Sequence, residues 1–138
     1  MPRLLINKTF IIVTLLLFSN LSFGQHSNLI KEKGIEKMNA GNYIDAIPYF
    51  KEAISIDTLL FESHYNYAFC LMKVHDYERC IDEYKKVIQL DPSGLKQPMA
   101  SFYLAEILDF KGNYKEAMIY WKKTKANYSK KPESYLYK

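Results

Sequence analysis

The stretch GNYIDAIPYF at residues 41–50 is echoed twice, as HDYERCIDEY at 75–84 and GNYKEAMIYW at 112–121. Aligning the three copies places Ala46, Cys80 and Ala117 in register, at intervals of 34 and 37 residues. A period of that size marks stacked supersecondary units. In the middle copy His64, Tyr67, Ala68 and Leu71 recur at helical spacing before the echo. Tyr77, Cys80, Ile81, Tyr84, Val87 and Ile88 do so within and after it. Each unit therefore predicts two amphipathic helices with the echo at their joint: 28–40 and 43–56, 60–74 and 77–90, 98–111 and 114–127.

The chemistry of the joint explains its recurrence. Gly41 and Gly112 stand where the first helix of a unit must end, and glycine takes up the left-handed backbone of a helix C′ position cheaply. His75 holds that place in the middle unit. Asn42, Asp76 and Asn113 follow, each with an oxygen suited to capping the next helix. The small residue four positions later admits close helix approach, and an aromatic four further on (Phe50, Tyr84, Trp121) fills the seam to a neighbour. Asp91-Pro92 stops the second unit, and Pro98 suits a first helical turn. Pro48, inside a predicted helix, removes one backbone bond and predicts a bend.

Over residues 27–131 this pattern resembles the tetratricopeptide repeat (TPR), a 34-residue helix–turn–helix unit. Gly34, Ala68 and Ala105 match its small eighth position; Ala46, Cys80 and Ala117 its small twentieth; Phe50, Tyr84 and Trp121 its aromatic twenty-fourth. The twenty-seventh is small only at Ala53, with Val87 and Thr124 elsewhere. Only Pro92 supplies the proline of position 32, where Thr58 and Ser129 stand in the other units. The resemblance implies an all-α fold, a right-handed stack of three repeats (about 27–60, 61–94 and 98–131). Lys33 and Lys37 stand where later units have Tyr67 and Leu71, then Leu104 and Leu108, so the first helix reads as an N-terminal cap. At the other end Tyr135, Leu136 and Tyr137 either fold back as one turn or leave the last seam to a partner or a second copy.

The first 24 residues stand apart. Arg3 and Lys8 precede the apolar run Phe10–Phe18, and Ser22-Phe23-Gly24 offers small residues for signal peptidase, which predicts a secretory signal peptide cut before Gln25. The rival reading is an uncleaved membrane anchor, for which the apolar run is short. Cleavage leaves a domain of residues 25–138, secreted or in a bacterial periplasm. Its charge is uneven: residues 25–110 hold 9 basic and 13 acidic groups, residues 111–138 hold 8 and 2. A basic C-terminal tail is either a solvated face or a means of steering an acidic partner. No arginine stripe with interleaved aromatics points to nucleic acid.

The resemblance implies that the first helix of each unit lines a concave groove. Carried onto this chain, the groove takes Lys31 from the first unit and Tyr65, Asn66, Phe69 and Met72 from the second. Met99, Phe102, Tyr103 and Phe110 come from the third. Lys31 and Asn66 match part of the carboxylate clamp that some family members use, but Ile35, Met99 and Tyr103 occupy its other places, so too little positive charge is present. An aromatic and methionine-rich lining suits apolar or extended segments of a protein or peptide partner. The alternative is that these rings are core packing read one residue out of register.

Catalytic chemistry is not evident. His26, His64 and His75 lack metal-ligand spacing, no phosphate-binding glycine loop or Ser/Cys–His arrangement is present, and no cofactor or metal is implied. The acids fall at helix-surface spacing, as on solvated faces. Cys70 and Cys80 read as two buried thiols, with a disulfide across the unit the minority alternative in an oxidising compartment. The expected function is a non-enzymatic protein-interaction module, the alternative a structural subunit that self-associates or docks through its last repeat.

Overall fold

The computed structural model describes residues 8–91, 94 and 96–128 of the 138. Among them the chain is all helical: α1 Lys8–Asn39, α2 Tyr43–Ile56, α3 Phe61–Lys73, α4 Tyr77–Leu90, α5 Gln97–Phe110 and α6 Tyr114–Tyr128. α1 packs on α2, α3 on α4 and α5 on α6, while α2–α3 and α4–α5 contacts join the pairs into a stack. Arg3, Pro92, Ser129, the tail lysines beyond residue 128 and Tyr135–Tyr137 lie outside the described residues.

The joints confirm the role of the echo. Gly41 (φ 79°), His75 (φ 63°) and Gly112 (φ 80°) all occupy the left-handed region. The amides of Gly41, His75 and Gly112 donate to the carbonyls of Met38, Met72 and Asp109 at 3.0, 3.1 and 2.9 Å. Those of Asn42, Asp76 and Asn113 donate to Lys37, Leu71 and Leu108 at 3.0, 2.9 and 2.8 Å. This is the Schellman arrangement in all three units. The same Asn, Asp and Asn then begin the next helix, their carbonyls accepting from the amides of Ala46, Cys80 and Ala117. The side chains behave less uniformly. Asp76 accepts from the Arg79 amide at 3.3 Å, whereas Asn42 makes no side-chain cap bond. The predicted cap is thus absent at Asn42, where the backbone bonds alone define the turn.

α1 is longer than the predicted 28–40. It runs unbroken from Lys8, with Ser27 Oγ and Asn28 Nδ2 both donating to the Gly24 carbonyl at 3.0 and 2.9 Å. Nothing in 8–39 breaks a helix, since no proline intervenes and Gly24 and Gly34 are tolerated in a helix interior. Pro48 is held inside α2, where the residue whose carbonyl loses its helical partner, Ile44, is itself exposed. Among the described residues no helix is long and apolar enough to cross a membrane.

The core follows the small-residue register. Ala46, Cys80 and Ala117 are buried, as are Ala68 and Ala105 across the seam. A Cβ on Gly34 would meet Phe50 Cε1 at 2.8 Å, so α1 and α2 can approach this closely only because the residue is glycine. Lys33 and Lys37 escape burial, while Tyr67, Leu71, Leu104 and Leu108 are buried, so α1 presents a polar outer face. At the other end the register exposes a difference. Ile47 and Ile81 are half-buried and buried under the following pair, but the equivalent Met118 is 55% exposed and Tyr114 67%.

Candidate partner-binding groove

Residues three and four apart share a helix face. Glu62, Tyr65, Asn66, Phe69, Met72 and Lys73 form such a face on α3; Met99, Phe102, Tyr103 and Glu106 form one on α5. All of these except exposed Lys73 and Glu106 are half-buried. Tyr65, Met72 and Tyr103 lean on the core from one side and are open on the other. Their rings form a linked series. Tyr43 meets Phe69 edge-on at 6.1 Å, Phe69 meets Tyr103 at 6.3 Å, Tyr103 meets Phe102 at 5.6 Å and Phe102 meets Trp121 at 5.4 Å. Buried Tyr84 supports the series from beneath, stacked on Tyr103 at 5.8 Å and edge-on to Tyr65 at 5.9 Å. Such contacts hold the rings at little further entropy loss on binding.

Beside Tyr65 lies a hollow of about 230 Å³ lined by Ile35, Met38, Glu62, Tyr65, Asn66 and Lys96. Lys96 Nζ sits 5.0 Å from the Tyr65 ring centre and Lys73 Nζ 5.2 Å from that of Phe69. Lys96 was not foreseen. It lies ahead of α5 in the three-residue insertion that lengthens the interval between copies from 34 to 37 residues, and the buried carboxylate of Asp91 fixes it by accepting from its amide at 2.7 Å.

Two of the sequence-derived lining residues stand differently. Lys31 is buried, and its ammonium is paired with Glu62 at 2.8 Å and approaches Glu32 at 3.6 Å. Its charge is neutralised within the protein. Phe110 is 76% exposed at the last turn of α5 and touches Tyr77 at 5.4 Å, at the edge that carries the joints. The structure therefore brings Tyr65, Asn66, Phe69, Phe102 and Tyr103 together on neighbouring faces, with Met72 and Met99 beside them, and leaves Phe110 apart.

The buried polar groups do not all fit the expectation of solvated acids. Glu83 is buried on α4, accepting from His64 Nδ1 at 2.5 Å and from Lys86 Nζ at 2.8 Å. Burial pushes its carboxyl up, but the bonds from His64 and Lys86 outweigh this and hold it below the usual carboxylate range. Cys70 and Cys80 are buried and unbridged, with Cys80 Sγ donating to the Ala68 carbonyl at 3.2 Å. Burial pushes both thiols up to about 12. Among the described residues, Tyr84 Oη and Ser63 Oγ are buried without a hydrogen-bond partner. Among the described residues no three His, Cys, Asp or Glu side chains converge to hold a metal ion.

Residues 61–93 match the sequence profile of the tetratricopeptide repeat. A comparison with curated proteins finds no match. Solved structures of the same fold include MamA (TM-score 0.65, 22% identity, 71% of this chain and 56% of that one). The Yersinia enterocolitica type III secretion translocator chaperone SycD aligns with TM-score 0.69 and 22% identity, over 79% of this chain and 80% of that one. The second TPR of Spaghetti (RPAP3), bound to the HSP90 peptide SRMEEVD, aligns with TM-score 0.66 and 22% identity, over 73% and 91%. The chain spans little more than half the length of MamA.

Proposed function

We propose that this tetratricopeptide-repeat stack is a non-enzymatic binding module that takes an extended or helical segment of a protein partner along the α3–α5 face. The observation that carries the reading is the supported ring series Phe69–Tyr103–Phe102, half-open to solvent beside the Tyr65 hollow. Rings already held by neighbours bury large apolar area on binding with few torsions left to freeze. Neutralisation of Lys31 by Glu62 weighs against capture of a terminal carboxylate and in favour of apolar anchoring. The peptide seated on the Spaghetti TPR and the chaperone role in the SycD name support protein recognition by this fold. The basic, apolar segment 1–24 supports export to a bacterial envelope, in which case the mature chain starts at Gln25.

The test compares the wild-type chain with Phe69→Glu and Phe102→Glu for co-purification of a partner from the native envelope, with far-UV circular dichroism as the folding control. Loss of the partner with helicity retained supports the groove. Retention of the partner by both variants moves binding elsewhere. The exposure of Tyr114 and Met118 on α6, where earlier units half-bury Tyr43, Tyr77 and Ile47 and bury Ile81, favours a second reading of association through the last repeat. Sedimentation that shifts with concentration, and that Met118→Glu abolishes, would establish that one.

A further inference from the structure

The groove reading gives the outer face of α6 no role, and that face differs in charge from those of the earlier second helices. On α2 the exposed side includes Asp45, Lys51 and Glu52, and on α4 Glu78, Arg79, Asp82 and Lys86, so both helices show charges of both signs. On α6, Tyr114, Lys115, Met118, Ile119, Lys122 and Lys125 are exposed, and helical spacing gathers them into one continuous arc. No acid lies within the arc. Glu116 is the one carboxylate of α6, and it pairs with Lys85 of α4 at 2.8 Å. The three lysines of the arc make no ion pair among the described residues. Lys123, at its border, leans on the Tyr120 ring at 5.2 Å. The opposite side carries buried Ala117 and Thr124, and α6 packs on α5.

We propose that this face docks α6 flat on an anionic membrane surface, with Tyr114, Met118 and Ile119 entering the headgroup region and the three lysines meeting lipid phosphates. The match is one of charge: an arc with cations and no acid complements a surface of one negative sign. Tyr114, Met118 and Ile119 are 67%, 55% and 54% exposed, and each has a lysine one, three or four residues away. The hollow beside them, about 460 Å³, is walled by Gly112–Glu116 and reaches only the first turn of α6. A protein segment held by apolar anchors needs pockets that fit them. A bilayer interface takes separate apolar side chains and a row of cations without any such pocket. Tyr114, an apolar ring with a polar tip, suits the headgroup level. Among the described residues no helix is long and apolar enough to cross a membrane, so α6 lies on the surface. The arc shares no residue with Tyr65, Phe69, Phe102 or Tyr103, so the docked protein keeps its groove face for a partner.

The test is acylation footprinting of the lysines in the full chain, read by mass spectrometry, with vesicles of phosphatidylcholine alone or mixed with phosphatidylglycerol. Reading each lysine separately distinguishes docking by α6 from insertion of the apolar run Phe10–Phe18. With phosphatidylglycerol present, Lys115, Lys122 and Lys125 should become protected while exposed Lys33 and Lys51 stay reactive. That protection should fade as added salt screens the surface. Lys122→Gln should raise the lipid concentration that half-protects the other two about fivefold, with circular dichroism unchanged. The inference is overturned if the α6 lysines stay reactive at every lipid concentration, or if phosphatidylcholine alone protects them equally. Equal protection by soluble polyglutamate would also overturn it and assign the face to an acidic protein segment. Protection that rises with protein concentration in the absence of lipid would overturn it in favour of a second copy.

Discussion

Replacing Gly34 with alanine tests the packing of the first unit, because two opposing effects can be weighed there. Alanine is favoured over glycine in a helix interior by about 1 kcal/mol. Against this, a Cβ at residue 34 meets Phe50 Cε1, Cζ and Cδ1 at 2.8, 3.0 and 3.1 Å, and Phe50 is fully buried with no open side to retreat into. Overpacking of a full core costs ~1–3 kcal/mol, and three ring atoms inside contact distance place this site in the upper part of that range. The net expectation is a loss of about 1–2 kcal/mol, read as a lower urea midpoint with unchanged slope by circular dichroism. In a Phe50→Leu background Gly34→Ala should lose its penalty and show the propensity gain instead, a coupling of about 2–3 kcal/mol. If Gly34→Ala instead stabilises the native protein by the propensity gain of about 1 kcal/mol, α1 does not rest on Phe50 and the packing of the first unit is wrong as described.

Three further outcomes are expected. Tyr84→Phe removes a buried hydroxyl without a partner while keeping the ring that stacks on Tyr103, so it should be neutral or stabilise by up to ~1 kcal/mol in the same titration. Glu83 is held below its ordinary value of 4.5, so its stabilising contribution is complete above that value and lost as pH falls through the lower folded one. Acid titrations should therefore show a limb below pH 4.5 that Glu83→Gln flattens; an identical limb in the variant would refute the pairing. Cys70 and Cys80 should resist iodoacetamide at pH 8 in the native state and both react in urea, because burial keeps the thiols protonated; rapid native labelling would contradict their placement.

The architecture was legible because its signals are local. A left-handed residue, a residue that both ends one helix and begins the next, and a small residue four positions on all fall within one echo, and each occupies the place its chemistry suggests. The same locality explains the misses. Whether Asn42 caps its helix depends on a side-chain torsion that the backbone bonds of the turn do not fix. The extension of α1 back to Lys8 depends on the absence of a breaker, which leaves no positive mark. Glu83 has the spacing of a surface acid and is buried because His64, nineteen residues earlier on another helix, turns towards it. Lys31 is neutralised by Glu62, thirty-one residues away, and Lys96 reaches Tyr65 from an insertion outside the repeat register. In each case the deciding partner lies on a different element.

The proposed groove is tested most directly by site-specific photo-crosslinking in the native cells. A photoreactive side chain would replace Phe69 or Phe102 in one set of variants, and Met118 or Ile119 on the outer face of α6 in another. The account predicts the same partner crosslinked from residues 69 and 102 and not from 118 and 119. Crosslinks confined to α6 would contradict it, and would assign binding to the last repeat.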